Sequence, residues 1–273
     1  MGLRANLPLW TLTGDAGGRW PLLVTSPHSG RHYPAPFLAA ARLSLAELRR
    51  AEDALVDALL DGIAGVPVLA ATHARCWLDL NRAPDELDPG MFDGPLPVPV
   101  APSPRVAAGL GVIPRLAAMG REIHSRKLPA SEAAERIAAA HAPWHDRITA
   151  ELQAARQRHG AALLIDVHSM PPPTGPRPPQ IVLGDCHGRS ANPAIVAAME
   201  DHFRRAGWRV ARNHPYAGGY TTHHHGQPAS GIHAVQIELC RSLYLDANRL
   251  TLTAGAVRVR NALTGLVQML VAN

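Results

Sequence analysis

Two histidines and one glutamate stand at the positions of this sequence that are best suited to chemistry. His28 follows the apolar run LLVT, His168 follows LLIDV, and Glu238 lies within AVQIELC. Short apolar runs of this kind predict buried strands, and open α/β sheets bind their ligands where strands end. Imidazole and carboxylate groups serve both as metal ligands and as proton carriers. The three residues together therefore predict a single metal-centred site.

Two aspartates offer a further acidic ligand. A helix is predicted to begin at Ser44, where Ser44 and Glu47 fit a capping box, and to end at Gly65. Asp53 and Asp57 are four residues apart and lie on one side of that helix. Like charges at this spacing repel each other, so a metal ion or an arginine is expected to compensate them. The alternative is a solvated acidic face.

The segment ARCWLDLNR carries groups suited to binding a carboxylate, namely Arg75, Asn81 and Arg82. The guanidinium group is planar and can hold a carboxylate through two parallel hydrogen bonds. Seven prolines follow within residues 84–104. A connection of about 20 residues without secondary structure of its own is uncommon and is often a lid over a site. A passive surface insertion would have the same composition, so both interpretations stay open.

Strand-like and helix-like patterns alternate along the chain. Strands are predicted at residues 20–25, 66–71, 163–167, 180–184, 208–212 and 234–240. Helices are predicted at residues 44–65, 105–119, 131–140, 143–158 and 193–207, with a last helix capped by Asp246 or Asn248. This alternation predicts one three-layer α/β/α domain that spans residues 1–273.

The composition favours a small acidic substrate over a macromolecular partner. The net charge is +5, and the arginines that carry most of the positive charge are scattered. Aromatic residues make up only 4% of the chain, which argues against stacking on nucleic-acid bases. No stretch approaches the roughly 20 apolar residues that cross a membrane. We therefore expect neither a nucleic-acid nor a membrane partner, and the sequence indicates no particular oligomeric state.

The three cysteines, Cys76, Cys186 and Cys240, are far apart and form no CxxC pair. This spacing excludes a thiolate zinc motif and indicates no disulfide framework. The first residues lack the basic start and apolar core of a signal peptide. Unpaired cysteines suit a reducing compartment, so we expect the protein to be cytoplasmic.

Five segments in one order carry a family resemblance: SPHSG, DLNR, IDVHSMP, NHPYAGGYTTHHHG and HAVQIELCRSLYLD. Together they resemble the N-formylglutamate amidohydrolase (N-formylglutamate deformylase) family, from about residue 20 to residue 250. The resemblance implies a zinc-exopeptidase-like (phosphorylase/hydrolase-like) fold with a mixed central sheet, related to aspartoacylase and the zinc carboxypeptidases. It also implies hydrolysis of N-formyl-L-glutamate to formate and L-glutamate in histidine breakdown. One Zn²⁺ per chain is expected as the cofactor, although another divalent metal is possible.

The resemblance also assigns metal ligands. It makes His28 and His168 the two imidazole ligands. The relatives have a glutamate three residues after the first histidine, where this chain has Arg31. The acidic ligand is therefore expected from the predicted helix, with Asp57 preferred and Asp53 second.

The remaining roles follow from the same resemblance. Glu238 is the expected general base, and Arg75 is expected to polarise the scissile carbonyl. Asn81 with Arg82 would clamp the substrate carboxylate. Further substrate contacts are expected from Arg241, Gly219 and either Tyr220 or Tyr216. Two alternatives remain: a hydrolase for another N-acyl acidic amino acid, and a non-catalytic homologue that binds an acidic metabolite.

Overall fold

A seven-stranded mixed sheet organises the chain. The structure is a computed structural model that describes residues 7–96 and 98–272. The predicted domain of residues 1–273 thus includes residues 1–6, 97 and 273, which lie outside the described part. The strands are β1 (Trp10–Thr13), β2 (Leu22–Ser26), β3 (Val68–Ala71), β4 (Phe92–Asp93), β5 (Leu128–Pro129), β6 (Ala162–Met170), β7 (Ile181–Gly184), β8 (Val210–Arg212), β9 (Ile232–Cys240), β10 (Leu245–Asp246) and β11 (Thr251–Leu252).

The helices complete the element list. They are α1 (Ala35–Ala40), α2 (Leu45–Leu48), α3 (Val56–Leu60), α4 (Pro104–Ala107), α5 (Ala130–Arg136), α6 (Ala142–His159), α7 (Pro193–Arg205), α8 (Tyr220–His225) and α9 (Gly255–Ala272). Within the described residues, none of these helices is both long and apolar enough to cross a membrane.

The strand order of the large sheet is β1-β3-β2-β6-β9-β7-β8. β1 runs antiparallel to β3 and β7 runs antiparallel to β9, while the other neighbours are parallel. β6 and β9 lie at the centre, and every residue of β6 is buried. Strands buried on both faces are typical of α/β sheets covered by helices on each side.

Two apolar clusters lie on opposite faces of the sheet. Leu164 of β6 belongs to the cluster that contains Trp144 and Leu152 of α6. The next residue, Ile165, belongs to the cluster that contains Phe203 of α7 and Leu263 of α9. Successive strand residues point to opposite faces, so each face has its own helical cover. The three-layer α/β/α fold with a mixed central sheet is thereby confirmed.

Two predicted helices are interrupted. The helix predicted over residues 44–65 consists of α2, a 3₁₀ turn at Arg49–Ala51 and α3, and Leu55 between them has a left-handed φ of 62°. The helix predicted over residues 105–119 is limited to α4, because the chain reverses at Gly109, whose φ is +75°.

Other differences concern element boundaries. The two helices predicted over residues 131–158 are α5 and α6, joined by a π-helical segment, Ile137–His141. Pro143 follows that segment and has no N–H for the usual hydrogen bond, which favours a local widening of the helix. The last helix begins at Gly255, beyond the predicted caps, because residues 245–252 form the β10–β11 hairpin. β1 was absent from the predicted strands and covers one edge of the sheet.

Candidate metal centre and active site

His28, Asp53 and His168 form a buried group at the carboxyl ends of β2 and β6. One possible ligand atom from each lies within 4.8 Å of the other two. Asp53 Oδ2 is 3.0 Å from His168 Nδ1 and 3.4 Å from His28 Nδ1. Zinc bonds of about 2.0–2.1 Å at a tetrahedral angle separate ligand atoms by roughly 3.3 Å. The two distances from Asp53 Oδ2 therefore fit a shared zinc ion.

The hydrogen bonds of His28 leave one ring nitrogen available to a metal. Its Nε2 lies 2.7 Å from Asp79 Oδ1, and a carboxylate can only accept there, so Nε2 carries the proton. Nδ1 then has a free lone pair, and this buried atom has no hydrogen-bond partner within the described residues. It faces the carboxylate of Asp53, another acceptor. A cation between them satisfies both atoms, which is the observation that fits a metal at this site.

His168 has the same arrangement. Its Nε2 lies 2.9 Å from Asp166 Oδ2, which leaves Nδ1 to face Asp53. Asp166 and His168 are two residues apart on β6 and thus share one face of the sheet. The hydroxyl of Thr25 in β2 donates to the other oxygen of Asp166 at 2.6 Å. Outer carboxylates of this kind fix the tautomer and the orientation of metal-binding histidines.

The electrostatics of the group favour a bound cation. Burial alone would raise the pKa of Asp53, but its close contacts with the rings of His168 and His28 and the charge of Arg75 hold that pKa well below its usual range. Burial would lower the pKa of His168, yet the negative charge and hydrogen bond of Asp166 raise it well above its usual value. Carboxylates that attract a proton this strongly would also stabilise a metal ion.

The preference for Asp57 as the acidic ligand is corrected by the structure. Asp57 lies in the first turn of α3 and pairs with Arg31, the residue found where the resemblance expects a glutamate. Asp53 instead lies in the break between α2 and α3, where its N–H donates to the carbonyl of His28 at 3.0 Å. The interruption of the helix removes the shared face that the four-residue spacing predicted. Asp53 therefore reaches the two histidines and Asp57 does not.

Glu238 lies beside the histidine group on the neighbouring strand. It is paired in register with His168 across β6 and β9, so both side chains project from the same face. Gln236 Nε2 donates to Glu238 Oε1 at 2.8 Å. Burial raises the pKa of Glu238 to about 7, although the charges of His168 and Arg75 oppose the rise. A carboxyl group with a pKa near neutrality can both take and return a proton in one reaction cycle.

Arg75 and Arg241 lie against Asp53, and both were predicted site residues. Arg75 Nη2 donates to Asp79 Oδ2 at 2.7 Å, and its Nη1 lies 3.7 Å from Asp53 Oδ1. Arg241 Nη2 donates to Asp53 Oδ1 at 3.0 Å. Their side chains remain 22% and 17% exposed, so neither is fully enclosed. The predicted contacts of both arginines with a substrate remain predictions.

Asn81 and Gly219 are tightly joined at the inner wall of the site. Asn81 Nδ2 lies 3.2 Å from His168 Nε2, and its Oδ1 accepts from the N–H of Thr221 at 2.8 Å. The N–H of Gly219 donates to Gln236 Oε1 at 2.8 Å. A Cβ at Gly219 would lie 2.3 Å from the side-chain amide of Asn81, so only glycine permits this approach. Asn81, which was predicted to bind the substrate carboxylate, therefore holds the segment from Gly219 to Thr221 in position.

Arg82 and Tyr220 directly follow Asn81 and Gly219 in the chain. Arg82 Nη1 donates to the carbonyl of Asn81 at 2.8 Å and its Nε to that of Leu110 at 2.9 Å. Burial lowers the pKa of Arg82, opposed in part by the charge of Asp79. The ring of Tyr220 stacks on His224, with centroids 4.8 Å apart. The substrate contacts predicted for Arg82 and Tyr220 remain predictions.

Two histidines that the sequence analysis missed, His141 and His145, hold the segment around Asn81. His141 Nε2 donates to the carbonyl of Arg82 at 2.8 Å, and His145 Nε2 donates to that of Leu80 at 2.9 Å. His145 Nδ1 then accepts from His225 Nε2 at 2.9 Å. His141 and His145 are four residues apart at the start of α6, a spacing that puts them on one helix face and could have indicated a joint role.

Comparison with known proteins identifies the family of the chain. The family model described as N-formylglutamate amidohydrolase matches residues 20–245. The chain is 32% identical over 238 residues to N-formylglutamate deformylase of Pseudomonas aeruginosa, covering 84% of each protein. A second deformylase of that name, from Pseudomonas putida, is also 32% identical, over 241 residues, covering 84% of this chain and 83% of the relative.

A solved structure gives the same result. The crystal structure of N-formylglutamate amidohydrolase from Ralstonia eutropha JMP134 superposes with a TM-score of 0.90 at 35% identity, covering 97% of this chain and 98% of that one. A protein of Agrobacterium tumefaciens shares the fold, with a TM-score of 0.69 at 20% identity over 97% and 95% of the two chains. On the family model and these relatives, the chain belongs to the N-formylglutamate amidohydrolase family.

Proposed function

We propose that this protein hydrolyses the formamide bond of N-formyl-L-glutamate, yielding formate and L-glutamate, with one zinc ion per chain. The names of the relatives support the substrate. The observation that carries the zinc proposal is the unpartnered Nδ1 of His28, which faces Asp53 beside His168. Another divalent metal with the same preference for nitrogen and oxygen ligands is the alternative occupant.

His28, Asp53 and His168 would hold the metal, leaving its fourth position open. A zinc ion bound by three protein ligands supplies Lewis acidity and lowers the pKa of a water molecule to about 7. Asp79 and Asp166 keep the protons of the two imidazoles on Nε2, so that both Nδ1 atoms remain free for coordination.

Glu238 is the proposed proton carrier. It would take a proton from the attacking water as the water oxygen bonds to the formyl carbon. When the carbon–nitrogen bond breaks, Glu238 would return that proton to the departing amine nitrogen, and formate would leave. A pKa near 7 matches both steps, because the group is then neither too weak a base nor too weak an acid.

Arg75 is the proposed stabiliser of negative charge on the formyl oxygen. Its guanidinium is already ordered by Asp79, so it needs little reorganisation when the charge develops. Arg241, which donates to Asp53 Oδ1, is proposed to attract a substrate carboxylate. Arg82 is proposed as a second cation for the same purpose.

The substrate class fits the rest of the protein. We propose a small acidic molecule as the only partner, with neither nucleic acid nor membrane involved, and a place in histidine breakdown. We also propose a cytoplasmic location, because Cys76, Cys186 and Cys240 are all free and buried.

A formate-release assay with metal analysis tests the proposal. Purified protein is expected to contain about one zinc per chain by elemental analysis. It should release formate from N-formyl-L-glutamate faster than acetate or succinate from the corresponding acyl glutamates. Chelation should abolish turnover, and added Zn²⁺ should restore it. Metal-loaded protein that releases no formate would exclude this activity, and faster release of another acyl group would reassign the substrate.

A further inference from the structure

A cavity of about 320 Å³ lies beside the loop that contains Gly218 and Gly219. Arg105 and Arg189 line it, and the described residues that line it include no aspartate or glutamate. Two histidines, His187 and His223, add further nitrogen donors to its wall. The cavity is thus built for an anion.

The two arginines in this cavity differ from those at the metal centre. Arg105 Nη2 donates to the carbonyl of Gly218 at 3.3 Å, and Arg189 Nε donates to that of Cys186 at 2.9 Å. These contacts fix each side chain but use only part of its N–H groups. Within the described residues neither arginine forms an ion pair, whereas Arg75 and Arg241 both pair with carboxylates of the metal centre.

The cavity and the metal centre share one wall. Gly219 borders the cavity, and its N–H donates to Gln236, which in turn donates to Glu238. Gly219 also touches the amide of Asn81, which lies against His168. The side chain of Gln236 therefore lies between Gly219 and Glu238, the proposed proton carrier. The side chain of Asn81 lies between Gly219 and His168, a proposed metal ligand.

The proline-rich segment delivers one of the two arginines. Residues 84–104 lead directly into α4, whose second residue is Arg105. The side chain of Ser103 caps that helix by accepting from the N–H of Val106 at 3.1 Å, and donates to Glu86 at 2.7 Å. Ser103 therefore ties the end of the segment both to α4 and to Glu86. This position brings Arg105 to the carbonyl of Gly218.

We propose that Arg105 and Arg189 form the subsite for the side-chain carboxylate of the substrate. This inference rests on the proposed function for the identity of that substrate. Every N-formyl amino acid has an α-carboxylate, so only a site for the second carboxylate can select glutamate over neutral residues. Two guanidinium groups without protein carboxylate partners provide that selection, because an uncharged side chain would leave them unpaired.

Substrate selectivity tests the subsite. Arg105→Gln and Arg189→Gln are compared with Arg177→Gln, which removes the same charge from an exposed position. The measured quantity is the ratio of kcat/KM for N-formyl-L-glutamate to that for N-formyl-L-glutamine. Loss of a charged hydrogen bond should lower this ratio about 10- to 100-fold in the two subsite variants. The Arg177 variant should retain the wild-type ratio.

A binding measurement separates this inference from the proposed function. Calorimetry with glutarate, a dicarboxylate without a formamide, should show weaker binding to metal-loaded Arg105→Gln and Arg189→Gln than to wild type. If wild type hydrolyses N-formylglutamate and both variants keep its selectivity ratio, the subsite is wrong and the function stands. If wild type releases no formate, the function is wrong and glutarate binding alone decides: equal affinity in all proteins would overturn the subsite.

Discussion

Asp53 approaches His168 to 3.0 Å because the helix expected to contain it is broken between α2 and α3. Removing its charge should therefore remove the metal. Asp53→Asn is expected to lose more zinc affinity than the about 10- to 100-fold typical of an outer partner. Asp57→Asn is the matched control and should retain about one zinc per chain, since Asp57 pairs with Arg31. Elemental analysis after dialysis checks both variants, and equal zinc content in the two would reject Asp53 as a ligand.

Glu238 should be needed for turnover and not for metal binding. Glu238→Gln keeps the size of the side chain and its contact with Gln236, but it cannot carry the proton. We expect a fall in kcat of about 10²- to 10⁴-fold with unchanged zinc content. Steady-state formate release and elemental analysis on one sample measure both. A variant within a few-fold of wild type would assign the proton transfer to another group.

The outer carboxylate of His28 should tune metal affinity without abolishing it. Asp79→Asn can no longer require the proton of His28 to stay on Nε2, so Nδ1 is free for a metal in only part of the molecules. We expect zinc affinity to fall about 10- to 100-fold. Competition with a chromogenic chelator measures the change. Wild-type affinity in this variant would show that the tautomer is fixed by something else.

His225 should lower the stability of the protein in mild acid, because this buried histidine stays neutral in the folded state. Burial and the charge of His224 lower the pKa of His225 to about 3, against an ordinary value of 6.5. Between those values the unfolded chain binds a proton that the folded chain excludes, so this stabilisation is complete above pH 6.5 and is lost as the pH falls. His225 alone should lower the free energy of unfolding by roughly 2 kcal/mol at pH 5 relative to pH 8.

Urea unfolding in the presence of chelator measures this effect without a contribution from metal release. His225→Gln keeps a donor near His145 but does not titrate, so its free energy of unfolding should change less between pH 8 and pH 5. His73 and His124, whose pKa values burial also lowers to about 4, remain in the variant and leave part of the slope. The same slope in both proteins would exclude His225 as a contributor.

The sequence alone located the site residues that follow or occupy apolar runs. It did not single out a site residue whose position depends on a local break in a helix. His28, His168 and Glu238 follow or occupy strands that pair in parallel, so strand patterns alone bring them to one place. The choice between Asp53 and Asp57 depends on the left-handed Leu55, which no helical periodicity reveals.

Hydrogen bonds between distant segments of the chain could not be predicted from the sequence either. Asp79 lies in the DLNR segment next to residues that the resemblance singled out, yet its contact with His28 arises only when β2 and that segment meet. His141 and His145 hold Arg82 and Leu80 through backbone carbonyls, which every residue possesses. Nothing in the sequence therefore specifies which carbonyls those donors will find.

The three residues of the proposed metal group come from the turn after β2, the α2–α3 break and β6, and Asp53 and His168 are 115 positions apart in the chain. An unfolded chain cannot present them together, so a metal that occupies this group binds the native state almost alone. Its binding free energy is then added to the folding equilibrium, and the melting temperature should rise with free zinc concentration. Cells short of the metal would consequently hold less of the folded protein as well as less active enzyme.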